Sequence, residues 1–179
     1  NLEAQAARLY WPHWIPGFEF RRDRSGDPPN NLLNYGYMAL RAAIARAICG
    51  AGLHPSLGLN HHNRFDTFCL ADDLIEPFRP LVDRTVREMF ERGIREIDRP
   101  AKSEILSLLA ESCQLGADRG PLMVAVERMV ASLCACYEGR RKTLRIPSLD
   151  ESSGNRGSVE RDGDAAETLD TPEDGSDGR

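Results

Sequence analysis

The chain has 179 residues, room for one ordinary domain plus an extension, and holds neither a basic-then-apolar signal segment nor an apolar run near the ~20 residues of a membrane span. Five cysteines, an odd number scattered through apolar helical patterns, exclude a disulfide-built scaffold and favour reduced, buried thiols in a cytoplasmic protein. The formal charge of −5 is unevenly placed: residues 150–179 hold ten acids and three arginines, so residues 1–149 carry a net charge of +2 and can meet nucleic acid through a local basic patch.

The chain begins at Asn1 rather than Met, as a piece of a longer protein would. A small-residue-rich helix is expected over 2–11, stopped by Pro12. "GFEFRRDRSGDPPN" then reads as a loop. Its Arg21, Arg22 and Arg24 beside Phe18 and Phe20 suit either a nucleic-acid contact or a solvated surface. Asn30 or Asn31 is the expected cap of a long helix running through Cys49, whose apolar stripe is Leu33, Tyr37, Leu40, Ile44 and Ile48. Gly50 and Gly52 end that helix, and "HPSLG" is a turn. Another helical stretch spans about Phe68 to Arg92, with Pro77 and Pro80 forcing a kink or break. "PAKSEILSLLAESCQLG" and "PLMVAVERMVASLCACYEG" each open on Pro and close near Gly, as two further helices. No alternating strand pattern stands out. The expectation is an all-α bundle of about five to six helices over residues 1–147. Residues 148–179 are too poor in apolar side chains to offset their ordering entropy and are expected to form a disordered acidic tail.

The densest chemistry lies in "LNHHNRFDTFCLADDLIEPFRP", residues 59–80. Asp72 and Asp73 stand four and three residues before Glu76, so on a helix either pair can share a face, where like charges repel unless a cation lies between them. Leu70, Leu74, Ile75 and Phe78 interleave with the acids, which places this face against the core. Glu76 directly precedes Pro77, and a distortion there would aim its carboxylate away from the regular helical direction. Oxygen ligands with one imidazole suit Mn²⁺ or Mg²⁺ rather than zinc. The plainer alternative is a helix start favouring acids, salt-bridged to Arg79 or Arg84. His61 and His62 read as ligand candidates or as the polar tip of a turn. His13 and His54 read as structural, and Phe65, Phe68, Trp11, Trp14 and the CxC at 134–136 as core.

Several motifs occur together and in order: the opening "NLEAQAARLYW", LNYGY at Leu33–Tyr37, G-L-x-P-x-L-G-L at 52–59, H-H-N-R at 61–64, and D-L-x-E-P-F-R-P at 73–80. This run closely resembles the helical catalytic domain of the CRISPR adaptation integrase, the Cas-one family, in particular its type II branch. The match is dense over residues 1–90 and extends to about 145. The resemblance implies metal ligands and catalytic residues at Glu3, His61 and Glu76, with Asp73 as second choice for the last position and His62 the less favoured histidine. It implies Mn²⁺ or Mg²⁺ as cofactor and a prokaryotic cytoplasmic location. It also implies that an N-terminal β-domain, the family's main dimerisation element, is missing from this chain.

The same resemblance implies an activity: the 3′-hydroxyl of a short captured DNA attacks a phosphodiester at the end of a CRISPR repeat, inserting a spacer. Implied partners are double-stranded DNA, a second copy in the full-length family, and the small bridging Cas-two protein. Arg41, Arg64 and Arg79 are candidate phosphate contacts, although each has a carboxylate near enough in sequence to pair with instead. Two other readings stay open: a metal-dependent DNA nuclease without an integration role, and a non-catalytic helical scaffold.

Overall fold

The computed structural model describes residues 2–115 and 118–147, apart from the side chains of Glu3, Leu115 and Asp118. The expected disordered tail, residues 148–179, lies outside the described residues. Among the described residues, six α-helices succeed one another in chain order: α1 (Leu2–Tyr10), α2 (Asn30–Gly50), α3 (Cys69–Ile75), α4 (Arg79–Glu91), α5 (Arg99–Ser107) and α6 (Leu122–Tyr137). The molecule is the helical bundle the periodicity predicts.

Helix α2 is the axis of the bundle and packs against α3, α4, α5 and α6. Of the predicted stripe, Leu33, Leu40, Ile44 and Ile48 are fully or almost fully removed from water, whereas Tyr37 is only partly buried against the core. Burial of a side chain of this size contributes roughly 1.5–3 kcal/mol, so this row and its partners Val82, Val86 and Met89 on α4 form the main stabilising seam. The seam is tight at one point. A Cβ on Gly36 would lie 2.5 Å from Val82 Cγ1, so the glycine of the LNYGY stretch permits close approach of α2 to α4.

Three local expectations need correction. Neither asparagine caps α2: Pro29 holds the cap position, and no side chain caps the helix there. Asn30 is buried and used differently. Its Oδ1 accepts from the Asp23 N–H at 2.8 Å and from Arg22 Nη1 at 2.9 Å, and its Nδ2 donates to the Arg21 carbonyl at 3.1 Å, which pins the basic loop to the start of α2. The stretch expected as one helix over 100–116 stops at Ser107. It passes through a 3₁₀ turn (Leu108–Ala110) into β1 (Ser112–Leu115), which pairs antiparallel with β2 (Asp118–Pro121). Four-residue strands carry too few alternations to register as a pattern. The five cysteines are free thiols, but only Cys69 and Cys113 are buried, and Cys49 is exposed.

The stretch expected as a kinked helix over 68–92 is α3 and α4 joined by a 3₁₀ turn, Glu76–Phe78. Pro77 sits inside that turn, and Pro80 in the first turn of α4, where its missing N–H is no loss. Among the described residues, no helix is long and apolar enough to cross a membrane.

Candidate functional site

Gly52, at φ +79°, turns the chain out of α2 into a loop that folds back along α3. The loop lies so close that a Cβ on Gly58 would meet the His61 carbonyl at 2.2 Å and Cys69 Cβ at 2.9 Å. Asp73 of α3 fastens it. The carboxylate accepts the N–H groups of Leu59 (2.5 Å), Asn60 (3.0 Å) and His61 (3.2 Å), and His61 Nδ1 lies 2.6 Å from its Oδ1. Burial alone would raise the Asp73 carboxyl, but the hydrogen bonds from Asn60, the His61 ring and the other amides outweigh it and hold the group below the usual carboxylate range. An ionised Asp73 accepting from Nδ1–H makes Nε2 the ring nitrogen that would take a cation. This carboxylate–histidine pairing is the arrangement by which proteins orient a metal-ligating imidazole.

Glu76 comes next, in the 3₁₀ turn that holds Pro77, and its carboxylate is about half exposed. Its Oε1 is 3.1 Å from Arg79 Nε, an ion pair without hydrogen-bond alignment. His61, Asp73 and Glu76 line a cleft of about 360 Å³. His61 and Glu76 also line a neighbouring groove of about 650 Å³, whose walls carry Arg22, Arg24, Arg41 and Arg79.

The three acids of the motif therefore do not share one partner. Asp72 turns to Arg41, whose Nη2 is 2.5 Å from Asp72 Oδ2 and 2.8 Å from Asp66 Oδ1. Asp73 holds the histidine loop, and Glu76 meets Arg79 at the groove. Mutual repulsion is relieved carboxylate by carboxylate. The salt-bridge alternative is thus seen for Glu76 with Arg79, while Arg84 pairs with Glu111.

Of the residues singled out by sequence, His61 and Glu76 come together at one wall, with Asp73 behind the histidine. Glu3 stands in the first turn of α1, but its side chain lies outside the described residues. Among the described residues, no three His, Cys, Asp or Glu side chains form a ready metal set. His62 lines the larger groove. Arg41 and Arg79 reach the groove already paired, whereas Arg64 stacks on Phe65 at 4.8 Å from the ring centre. Two aromatics expected in the core are not there: Phe65 is 82% exposed and Phe68 37%. Trp14 is buried as expected, against Trp11 and Phe20.

One residue escaped sequence reasoning. Asp83 of α4 is buried, accepting the Tyr37 hydroxyl at Oδ1 and the Tyr10 hydroxyl at Oδ2, the latter at 3.0 Å. An acid directly after Val82 on the apolar face of α4 was the available signal. Burial raises its carboxyl above the usual range, although both phenols and the charges of Arg79 and Arg22 pull the other way.

A family model described as "CRISPR associated protein Cas1" matches residues 1–112. A "CRISPR-associated endonuclease Cas1" from Neisseria meningitidis serogroup C (strain 8013) is 36% identical over 152 residues, which is 83% of this chain and 49% of that protein. Another Cas1 endonuclease, from Pyrobaculum aerophilum, is 40% identical over 93 residues, 51% of this chain and 32% of its own. This chain thus spans about half the length of the Neisseria relative and less of the second. Among solved structures, a casposase bound to integration product superposes with a TM-score of 0.68 at 26% identity, covering 80% of this chain and 48% of that one.

Proposed function

The chain belongs to the CRISPR-associated protein Cas1 family, and from that premise we propose that it is the catalytic part of a divalent-metal-dependent DNA integrase of CRISPR adaptation. The reaction is transesterification: a DNA 3′-hydroxyl attacks a phosphodiester at the end of a repeat, a new P–O bond forms, and the old 3′-oxygen leaves with a proton. The observation that carries this reading is His61, held through Nδ1 by Asp73, beside Glu76 on the wall of an arginine-lined groove.

The donor set, one imidazole nitrogen and carboxylate oxygens, fits Mn²⁺ or Mg²⁺, with Glu3, His61 and Glu76 as the residues that would hold it. Such an ion, when bound, supplies charge stabilisation for a developing phosphoryl oxyanion. The chain's own groups do the rest. Asp73 keeps the imidazole in one tautomer and one orientation. Arg22 is held by Asn30 and by Asn34, whose Oδ1 is 2.6 Å from Nη2, and so presents a guanidinium of fixed direction to a phosphate. Arg79 sits over the Tyr37 ring at 5.0 Å and beside Glu76, where it opposes the negative charge gathering around the reacting group. These contacts position a strand and do not read its sequence.

The partners belong to the same proposal: captured double-stranded DNA, the CRISPR repeat, a second copy of the full-length protein and the small bridging Cas2 protein. The relatives' names favour one second reading, hydrolytic cutting, which is the same chemistry with water as nucleophile. A strand-transfer assay separates the two. The chain, joined to the family's N-terminal domain, is mixed with the bridging protein, a 3′-hydroxyl DNA duplex, a repeat-bearing plasmid and Mn²⁺. Joined product that disappears in Glu76→Gln supports the integrase. Cut but unjoined plasmid supports the nuclease. No metal-dependent product from folded protein would leave only a scaffold.

A further inference from the structure

Helix α1 is poorly anchored for an element that carries a proposed ligand. Leu2 and Leu9 are 83% and 74% exposed, so its apolar side chains contribute little burial. Among the described residues, its long-range contacts lie at its C-terminal end. There Trp11 packs on Trp14 and Phe20, and the Tyr10 hydroxyl reaches 73 residues along the chain to Asp83. The opposite oxygen of the same carboxylate takes the hydroxyl of Tyr37, and the Tyr37 ring lies under the guanidinium of Arg79, the partner of Glu76. One buried acid therefore joins α1 to α2 and, through the tyrosine ring, to the Glu76 wall of the groove.

We propose that the Tyr10–Asp83–Tyr37 triad is a positioning device that holds α1, and with it Glu3, in place relative to His61 and Glu76. The proposal rests on the reading of those three as metal ligands. Glu3 stands two turns before Tyr10, about 10 Å along the helix axis. A tilt of α1 by about 10° about its tethered end would displace that first turn by about 2 Å, and a shift of about 1 Å is already enough to cost a catalytic site heavily. Asp83 suits the task because burial shields it from water, and both phenols, whose ionisation is suppressed by burial and by the neighbouring carboxylate, remain hydrogen-bond donors across the working pH range. Its two carboxylate oxygens take the two tyrosine hydroxyls, and it acts through them.

The test uses the 179-residue chain with two readouts: Mn²⁺ binding, monitored by the electron-spin signal of the free ion, and amide hydrogen exchange of residues 3–10. Tyr10→Phe removes one hydroxyl from a largely exposed helix and is the main variant, with Asp83→Asn beside it and Glu76→Gln as control. Tyr10→Phe is expected to speed α1 exchange about tenfold and to weaken Mn²⁺ binding about tenfold while unfolding stays cooperative. Asp83→Asn, which keeps one acceptor, should fall between it and the wild type. Wild-type Mn²⁺ affinity in Tyr10→Phe, with binding lost in Glu76→Gln, would overturn the tether and leave the metal reading standing. Weakened binding with unchanged α1 exchange would also overturn it. If the wild type itself binds no Mn²⁺, the metal reading falls and takes the proposal with it.

Discussion

At the scale of single residues, Asp73 and Asp83 do opposite things. Asp73 is stabilised as an anion by four donors, and its replacement by Asn sets an amide N–H₂ against groups that themselves donate. Asp73→Asn should let the His61 ring turn and weaken Mn²⁺ binding about 10- to 100-fold, the usual cost of losing a group that orients a ligand. A metal titration checks this, and an affinity within about twofold of wild type would show that Asp73 does not orient the imidazole. Asp83 has its carboxyl pushed upward by burial, and this sets the sign of the pH effect. The folded protein holds this proton more tightly than the unfolded chain does. The linked stabilisation is therefore complete below about pH 4, the ordinary Asp value, and is lost as the pH rises through the raised one. Asn cannot ionise. The melting temperature of the wild type should thus fall relative to Asp83→Asn as the pH is raised from about 4 to 8; a constant difference would contradict the raised value.

At the scale of elements, the glycines of α2 are not equivalent. Gly36 faces Val82 with no room for a methyl group, whereas a Cβ on Gly50, at the end of the helix, meets nothing within 4 Å. Gly36→Ala should destabilise the fold by about 1–3 kcal/mol through overpacking. Gly50→Ala should be neutral or stabilising by up to about 1 kcal/mol, because alanine loses less backbone entropy in a helix. Denaturant unfolding of the two variants gives both numbers. The element scale is also where sequence was least informative. Pro77 announced a break between α3 and α4, but not that the break would be a 3₁₀ turn delivering Glu76 to the groove. The helix predicted through Gly116 fails after Ser107, because the choice between a last helical turn and a short hairpin depends on packing against α6, which periodicity does not register.

For the molecule as a whole, the helical class and the central stripe were legible because Leu33, Leu40, Ile44 and Ile48 repeat at the helical period on a long element. The family was legible because its motifs occur in order over half the chain, and the Neisseria relative is consistent with the type II branch. The groove was only half legible. Arg22 and Arg24 were visible as a basic loop, but the delivery of Arg22 to the His61–Glu76 wall depends on Asn30, whose sequence position suggests a helix cap instead. Asp83 was missed because no local motif marks a contact between residues 10 and 83. One global measurement bears on the metal. Because ligand binding adds to folding free energy, Mn²⁺ at one hundred times its dissociation constant should stabilise the chain by about 2.7 kcal/mol. Calorimetry should show a raised melting temperature for the wild type and almost none for Glu76→Gln; equal shifts in both would move the metal away from Glu76.

The turn at Glu76–Phe78 has a further consequence, for insertions and deletions. Asp73 must keep its grip on the histidine loop while Glu76, three residues on, meets the groove, and between them the chain leaves one helix for another. Each residue added or removed there would swing the Glu76 side chain by about 100° around the helix axis. Descendants of this chain can exchange Leu74 or Ile75 for other apolar residues and keep both ends in place. They cannot change the number of residues between Asp73 and Glu76 without parting one from the other.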